Sequence, residues 1–328
     1  MLKLKVLFAI FSISISVAAC TISEATAKGY AWEKVTDAAS YPQGYYYPVF
    51  VLNGEMLAIN NGGWISKDGK NWTKTNLPDS GLNSAYLKYV QLNDAIYALG
   101  SIRGNYQNFT LTTNILRTRD GQTWETLAQQ TNLPQRIFYS ATVFKNKIWL
   151  VGGYDGKSYF NDVWNSEDAV HWRRVTDKAA WSPRQAPGVV VFNNRLWLFG
   201  GGVIDGEPET NPDSHKEVWS SDDGINWKRE QLNNERGGGG TPIVFDGKLW
   251  FIGANRNDGN FDNALTVSDD GVTWQAESAP WSPRGGVVVW VFGNRLFMTG
   301  GKFSYREPNG ETKFVYSNDV WMMMKKTG

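Results

Sequence analysis

From Tyr30 onward the chain alternates short apolar runs with polar turns, and the alternation itself repeats. The clearest unit is VVVFNNRLWLFGG, Val189–Gly201, matched by VWVFGNRLFMTGG, Val289–Gly301, and ATVFKNKIWLVGG, Ala141–Gly153. IVFDGKLWFIGA, Ile243–Ala254, is close, and weaker versions begin at Val49 and Tyr89, which makes six. Each unit is two apolar runs around a pair such as Asn193-Asn194, Asp246-Gly247 or Asn53-Gly54. Short β-branched and aromatic runs predict strands, and turn pairs that tolerate positive φ predict two-residue hairpins.

A third apolar element follows each hairpin: Asp162-Val163-Trp164, Glu217-Val218-Trp219 and Asp319-Val320-Trp321, with looser versions near Trp64, Leu116 and Thr266. A fourth starts at the tryptophan that closes an Asp-Gly turn: SKDGKNW to Trp72, TRDGQTW to Trp124, SSDDGINW to Trp227 and SDDGVTW to Trp274. SEDAVHW, to Trp172, is a degenerate copy with Ala169 in place of glycine. These tryptophans recur about every fifty residues, the period of a propeller blade. In each turn the aspartate is read as capping backbone amides and the glycine as permitting the bend.

Four strands in each of six repeats fill the chain from about Tyr30 to Trp321. The last repeat stops after its third strand, NDVWMMM, while YAWEKVT, around Trp32, is a fourth strand with no preceding three. The expectation is therefore an all-β, six-bladed β-propeller with four antiparallel strands per blade. The N-terminal strand closes the last blade, which removes an open sheet edge that would invite association.

The paired glycines Gly152-Gly153, Gly200-Gly201 and Gly300-Gly301, each followed by an acid-Val-Trp strand and a later tryptophan, resemble the Kelch-repeat family. The Asp-Gly-x-x-Trp turns are similar to the Asp-boxes of sialidases. Such motifs identify a fold and say little about chemistry.

Composition narrows the partners. The chain of 328 residues has 33 basic and 32 acidic residues, 34 Gly, 16 Trp and one cysteine, Cys20. The start, MLKLKVLFAIFSISISVAAC, has Lys3 and Lys5 before an apolar run from Val6 to Val17, too short to span a bilayer. Val17-Ala18-Ala19-Cys20 resembles a bacterial lipobox, in which the cysteine is lipidated. Cleavage after Ala25-Thr26-Ala27 is the competing reading, and either way the protein is expected to be exported. This divides the chain into a lipoprotein signal peptide, 1–19, a linker, 20–29, and the propeller, 30–328. A lipid chain contributes about 0.8 kcal/mol per buried methylene, so the membrane is reached through the anchor alone. Thr21 after the cysteine resembles outer-membrane sorting in Gram-negative lipoproteins. Without Lys3 and Lys5 the basic count drops by two, to just under the acidic count. A near-neutral chain gives no electrostatic reason to expect nucleic acid.

Strand order assigns the faces of the disc. Turns between strands one and two and between three and four share one face, here the tight face, which carries every Asp-Gly turn. The opposite loop face carries the strand two-to-three loops 154–161, 202–216, 255–262 and 302–317 and the links between blades. Loops that vary on a repeated scaffold are where binding groups tend to sit. Arg136, Arg184 and Arg284 each lie eight residues before the hairpin aromatic, and Arg236 nine before Phe245. The matching positions in blades one and two are Gly44 and Ser84. Four such arginines could form an arc at one end of the central channel and take a carboxylate or phosphate, or each could bond carbonyls of its own blade, as Kelch arginines also do. Trp181 and Trp281 sit three residues before Arg184 and Arg284 and are either sugar platforms or packed links. Tyr45, Tyr46 and Tyr47 could line the blade-one side.

The Kelch resemblance also brings galactose oxidase into question, whose copper site needs two histidines, two tyrosines and a crosslinked cysteine. Here His171 falls in a tight-face turn and His215 in a loop-face insertion, with no cysteine in the propeller. No copper or zinc site and no other cofactor is expected. The sequence also lacks a nucleophile elbow, a phosphate-binding glycine loop and an HExxH motif. A sialidase or a sialic-acid mutarotase stays open, with the arginine arc and Asp205, Glu207, Glu209 or Glu217 as its acid and base. The favoured reading is an exported, lipid-anchored binding module with an acidic glycan or a protein as ligand on the loop face.

Overall fold

The computed structural model describes residues 29–75, 77, 88–105, 108–202, 217–233, 239–255 and 261–326. Residues 1–28, with Cys20, lie outside the described residues, as do Ser84, Asp205, Glu207, Glu209, His215 and Arg236.

The repeated hairpins become the inner half of each blade. Blade 1 comprises Val49–Leu52, Glu55–Ile59, Gly63–Ser66 and Thr73–Lys74. Blade 2 comprises Lys88–Leu92, Ala95–Asn105, Asn108–Thr118 and Glu125–Ala128. Blade 3 is Ser140–Phe144, Lys147–Val151, Val163–Ser166 and Arg173–Thr176. Blade 4 is Gly188–Phe192, Arg195–Phe199, Val218–Ser221 and Lys228–Arg229. Blade 5 is Gly239–Phe245, Lys248–Asn255, Phe261–Ser268 and Gln275–Ser278. Blade 6 joins Gly285–Phe292, Arg295–Arg306 and Val320–Lys325 to the N-terminal strand Tyr30–Thr36. All pairings are antiparallel, and the six sheets form the expected ring of a β-propeller.

Local chemistry fixes the register. Asn193 and Asn194 sit at φ of 49° and 56°, and Asp246 and Gly247 at 50° and 69°. Positive φ at both central positions gives a hairpin turn that matches the strand twist. At closure, Trp32 stands opposite Met323 and Lys34 opposite Trp321. Trp32 then meets Trp281 edge-on with centroids 4.6 Å apart, an arrangement worth about 1 kcal/mol beyond area burial.

The Asp-Gly turns are built as their sequence suggests. Asp223 Oδ1 accepts the amides of Ile225 and Asn226 at 2.8 Å each, and Ser221 Oγ accepts that of Gly224 at 2.8 Å. Asp68, Asp120 and Asp270 repeat this set, and Asp168 accepts the amides of Val170 and His171. Burial opposes ionisation of Asp223, yet the amides of Asn226 and Ile225 outweigh it and hold its pKa at about 2. The degenerate copy keeps the bend with Ala169 at a φ of 67°.

The segment 302–317, expected as a loop, is instead a hairpin. The second strand of blade 6 continues to Arg306 and pairs with an extra strand, Thr312–Tyr316, before the third strand begins. Lys302 stands opposite Tyr316 and Ser304 opposite Phe314, so these side chains share one face of the hairpin.

Candidate functional site on the loop face

The three described arginines each close on their own blade. Arg136 donates to both carboxylate oxygens of Asp162, at 2.6 and 3.0 Å, and to Gly152 O at 3.0 Å. Arg184 donates to Glu217 at 2.6 Å, to Gly200 O at 2.8 Å and to Ser182 Oγ at 2.9 Å. Arg284 donates to Asp319 at 2.6 Å, to Gly300 O at 3.3 Å and to Ser282 Oγ at 3.0 Å. All three are buried, Arg184 completely. The acid that receives each fork begins the third strand and also accepts an indole N–H, from Trp164, Trp219 or Trp321. An arginine thus ties the start of its blade to the paired glycines and to the third strand. For Glu217 and Asp319, burial favours the neutral acid, but the arginine partner outweighs it and holds the carboxyl below its ordinary range. At the matching position of blade 1, Gly44 leaves its space to Asn60, whose amide bonds Pro42 O at 2.5 Å.

The two link tryptophans are not exposed platforms. Trp181 is 1% and Trp281 3% exposed. Trp181 meets Trp227 edge-on at 6.2 Å, and Trp281 packs against Trp32 and Trp321. Tyr47 is buried as well, its hydroxyl 3.5 Å from Thr299 Oγ1. Of the arc read from the sequence, Arg136, Arg184 and Arg284 bond within their own blades and Trp181 and Trp281 are packed inside the disc, while Arg236 lies outside the described residues.

What the loop face does present lies elsewhere. Tyr45 stacks on Tyr316 with centroids 5.4 Å apart, and Tyr46 is 44% exposed. The amide of Tyr46 donates to Gly286 O at 2.9 Å, which places this pair over the start of the innermost strand of blade 6. Phe314, 53% exposed, stands on the hairpin above. Lys302 Nζ lies 5.0 Å from the Phe314 ring, 5.3 Å from Tyr45 and 5.9 Å from Phe261. Among the described residues no carboxylate pairs with it.

A second cation stands at the channel mouth. Lys88 opens the innermost strand of blade 2, five residues before its hairpin turn. The same place in the other blades holds Pro48, Ser140, Gly188, Thr241 and Val288, none of them charged. Ser140 bonds Pro187 O and Thr241 bonds Val287 O at 2.9 Å, so this ring of positions reaches the neighbouring blade near the axis. The Lys88 ammonium has no carboxylate partner among the described residues, and burial lowers its pKa from the ordinary value. No pattern in the sequence singles out Lys88, because it stands at one blade only. The aromatics Tyr305, Phe314 and Tyr316 were visible in a stretch read as a loop.

Fold and surface together define a β-propeller whose buried arginines brace the blades and whose loop face carries lysines and aromatic rings. The chain belongs to the DUF6242 beta propeller domain family, whose profile matches residues 10–236. It is similar to a solved structure titled "Structure of YjhT", with a TM-score of 0.65 and 15% identity over 88% of this chain and 97% of that one. This is a likeness of fold. No curated protein matches the chain.

Proposed function

We propose that the protein is an exported, lipid-anchored binding propeller that takes an acidic sugar on its loop face. The observation that carries this reading is the grouping of Lys302 with the half-buried Tyr45 and the exposed Phe314, a cation without a carboxylate partner among the described residues. An aromatic face accepts the C–H side of a sugar, and an ammonium supplies the counter-charge for its carboxylate. Lys88 offers a second such charge at the channel mouth.

Turnover of mutarotase or sialidase type at the arginines is the weaker reading, since Arg136, Arg184 and Arg284 are buried and each already pairs with an acid of its own blade. Titration of the purified chain with glucuronate, N-acetylneuraminate and glucose tests the proposal. The acidic sugars are expected to shift the amide signals around Tyr45, Lys302 and Phe314, and glucose to leave them in place. Equal shifts there from all three, or conversion of either acidic sugar faster than in buffer alone, would contradict it.

A further inference from the structure

The seam where the ring closes differs from the other described seams. Elsewhere, the glycine of an Asp-Gly turn seats on a second-strand side chain of the preceding blade. Gly69 faces Phe297, Gly121 faces Leu57, Gly224 faces Trp149 and Gly271 faces Trp197. Blade 6 has no such turn, because its third and fourth strands come from opposite ends of the chain. There Tyr30 takes the seat, edge-on to Trp250 at 5.0 Å, with its hydroxyl donating to Asp246 at 2.6 Å.

One phenol does not fill the space of a turn. A cavity of about 240 Å³ remains on the tight face, lined by Tyr30, Lys248, Trp250, Thr273, Gln275 and Glu277 among others. Its volume is just below the roughly 300–1,000 Å³ of drug-sized sites, which suits a monosaccharide. Register explains its lining. Trp250 stands opposite Val267, which stands opposite Gln275, while Leu265 stands opposite Glu277. Gln275 and Glu277 therefore point toward the closing blade. Neither has a hydrogen-bond or ion-pair partner among the described residues.

Nearby charges exclude an anion. Asp246 is matched by Lys325 and Asp269 by Lys248, while Asp270 holds its own turn and Glu277 stays unmatched. An acidic sugar would meet that excess negative charge, and an uncharged one would meet free hydrogen-bonding groups.

We propose that the closure seam is a second ligand site, for an uncharged hexose-sized polyol, with Gln275 and Glu277 as its hydrogen-bonding residues. It is independent of the loop-face site and opposite to it in charge preference.

The test uses methyl β-glucoside and glucuronate as probes, with amide chemical shifts of the purified chain as readout. The glucoside should shift signals within Ser268–Gln275, and glucuronate should leave them in place. Glu277→Ala and Gln275→Ala should each weaken the glucoside about tenfold, the loss of one hydrogen bond to a charged or amide group. Both positions are at the surface, so thermal unfolding should match the parent protein. Absence of glucoside shifts at the seam, an equal response to glucuronate, or unchanged affinity in both variants would overturn the proposal. A Lys302→Met control separates the two sites, since it should leave the seam response intact.

Discussion

Gly224 lies so close to Trp149 that a β-carbon on the glycine would stand 2.2 Å from the indole Cζ3. The turn of blade 4 is thereby pressed onto the second strand of blade 3. The glycine thus serves two ends, a φ of 76° and the absence of a side chain.

These two demands separate experimentally. Gly54 has the same φ of 76° but nothing within 4 Å of an added β-carbon. Gly54→Ala should cost about 1 kcal/mol, the left-handed backbone alone. Gly224→Ala should cost about 3 kcal/mol, since overpacking adds to that strain. Denaturant unfolding of both variants checks this, and equal losses would remove the packing role.

The turn aspartates make stability acid-sensitive. Asp68, Asp120, Asp168 and Asp223 have folded pKa values of about 2, below the ordinary 3.8. A depressed acid stabilises above its unfolded pKa and loses that contribution as pH falls through its folded one. Unfolding free energy should therefore drop between about pH 4 and pH 2. Asp223→Ala should cost about 1–2 kcal/mol at neutral pH and flatten the acid limb. A variant with the full acid limb would refute the capping role.

Arg184 should behave as a brace. Arg184→Met leaves the buried Glu217 with only the longer Arg229 ion pair and the Trp219 indole, and should cost about 2–4 kcal/mol, toward the loss seen when one member of a buried pair is removed. Adding Glu217→Gln should restore much of the loss. Thermal unfolding of the single and double variants decides it, and additive losses would argue against a coupled pair.

Lys88 should show the reverse trade. Partial burial lowers the pKa of its ammonium from the ordinary value, and it has no carboxylate partner among the described residues. Lys88→Met should raise stability by about 1 kcal/mol, a common gain where a functional group is held at a structural cost. It should at the same time weaken acidic-sugar binding. A destabilised variant would mean that Lys88 packs for the fold instead.

How far the sequence reaches follows from which features repeat. Hairpin pairs such as Asn193-Asn194 recur sixfold, and the lone fourth strand at Trp32 matches the strand missing from the last repeat, so blade number and ring closure follow from the sequence. The acids that pair with the arginines were also in view, since Asp162, Glu217 and Asp319 stand just before the third strands. Their pairing was not, because Arg184 and Glu217 lie 33 residues apart and meet only across the blade. Trp181 and Trp281 were ambiguous for the same reason: burial depends on what a neighbouring blade brings. Lys88 and Lys302 break the repeat, and a group that occurs once leaves no periodic trace.

The most direct test compares acidic-sugar affinity in three variants, Lys302→Met, Lys88→Met and the double variant Arg184→Met/Glu217→Gln, by calorimetry with N-acetylneuraminate. The account predicts that each lysine variant loses about tenfold or more, while the folded arginine double variant binds like the parent. Retained binding in both lysine variants, with loss in the arginine variant, would contradict it and return the site to the arginines.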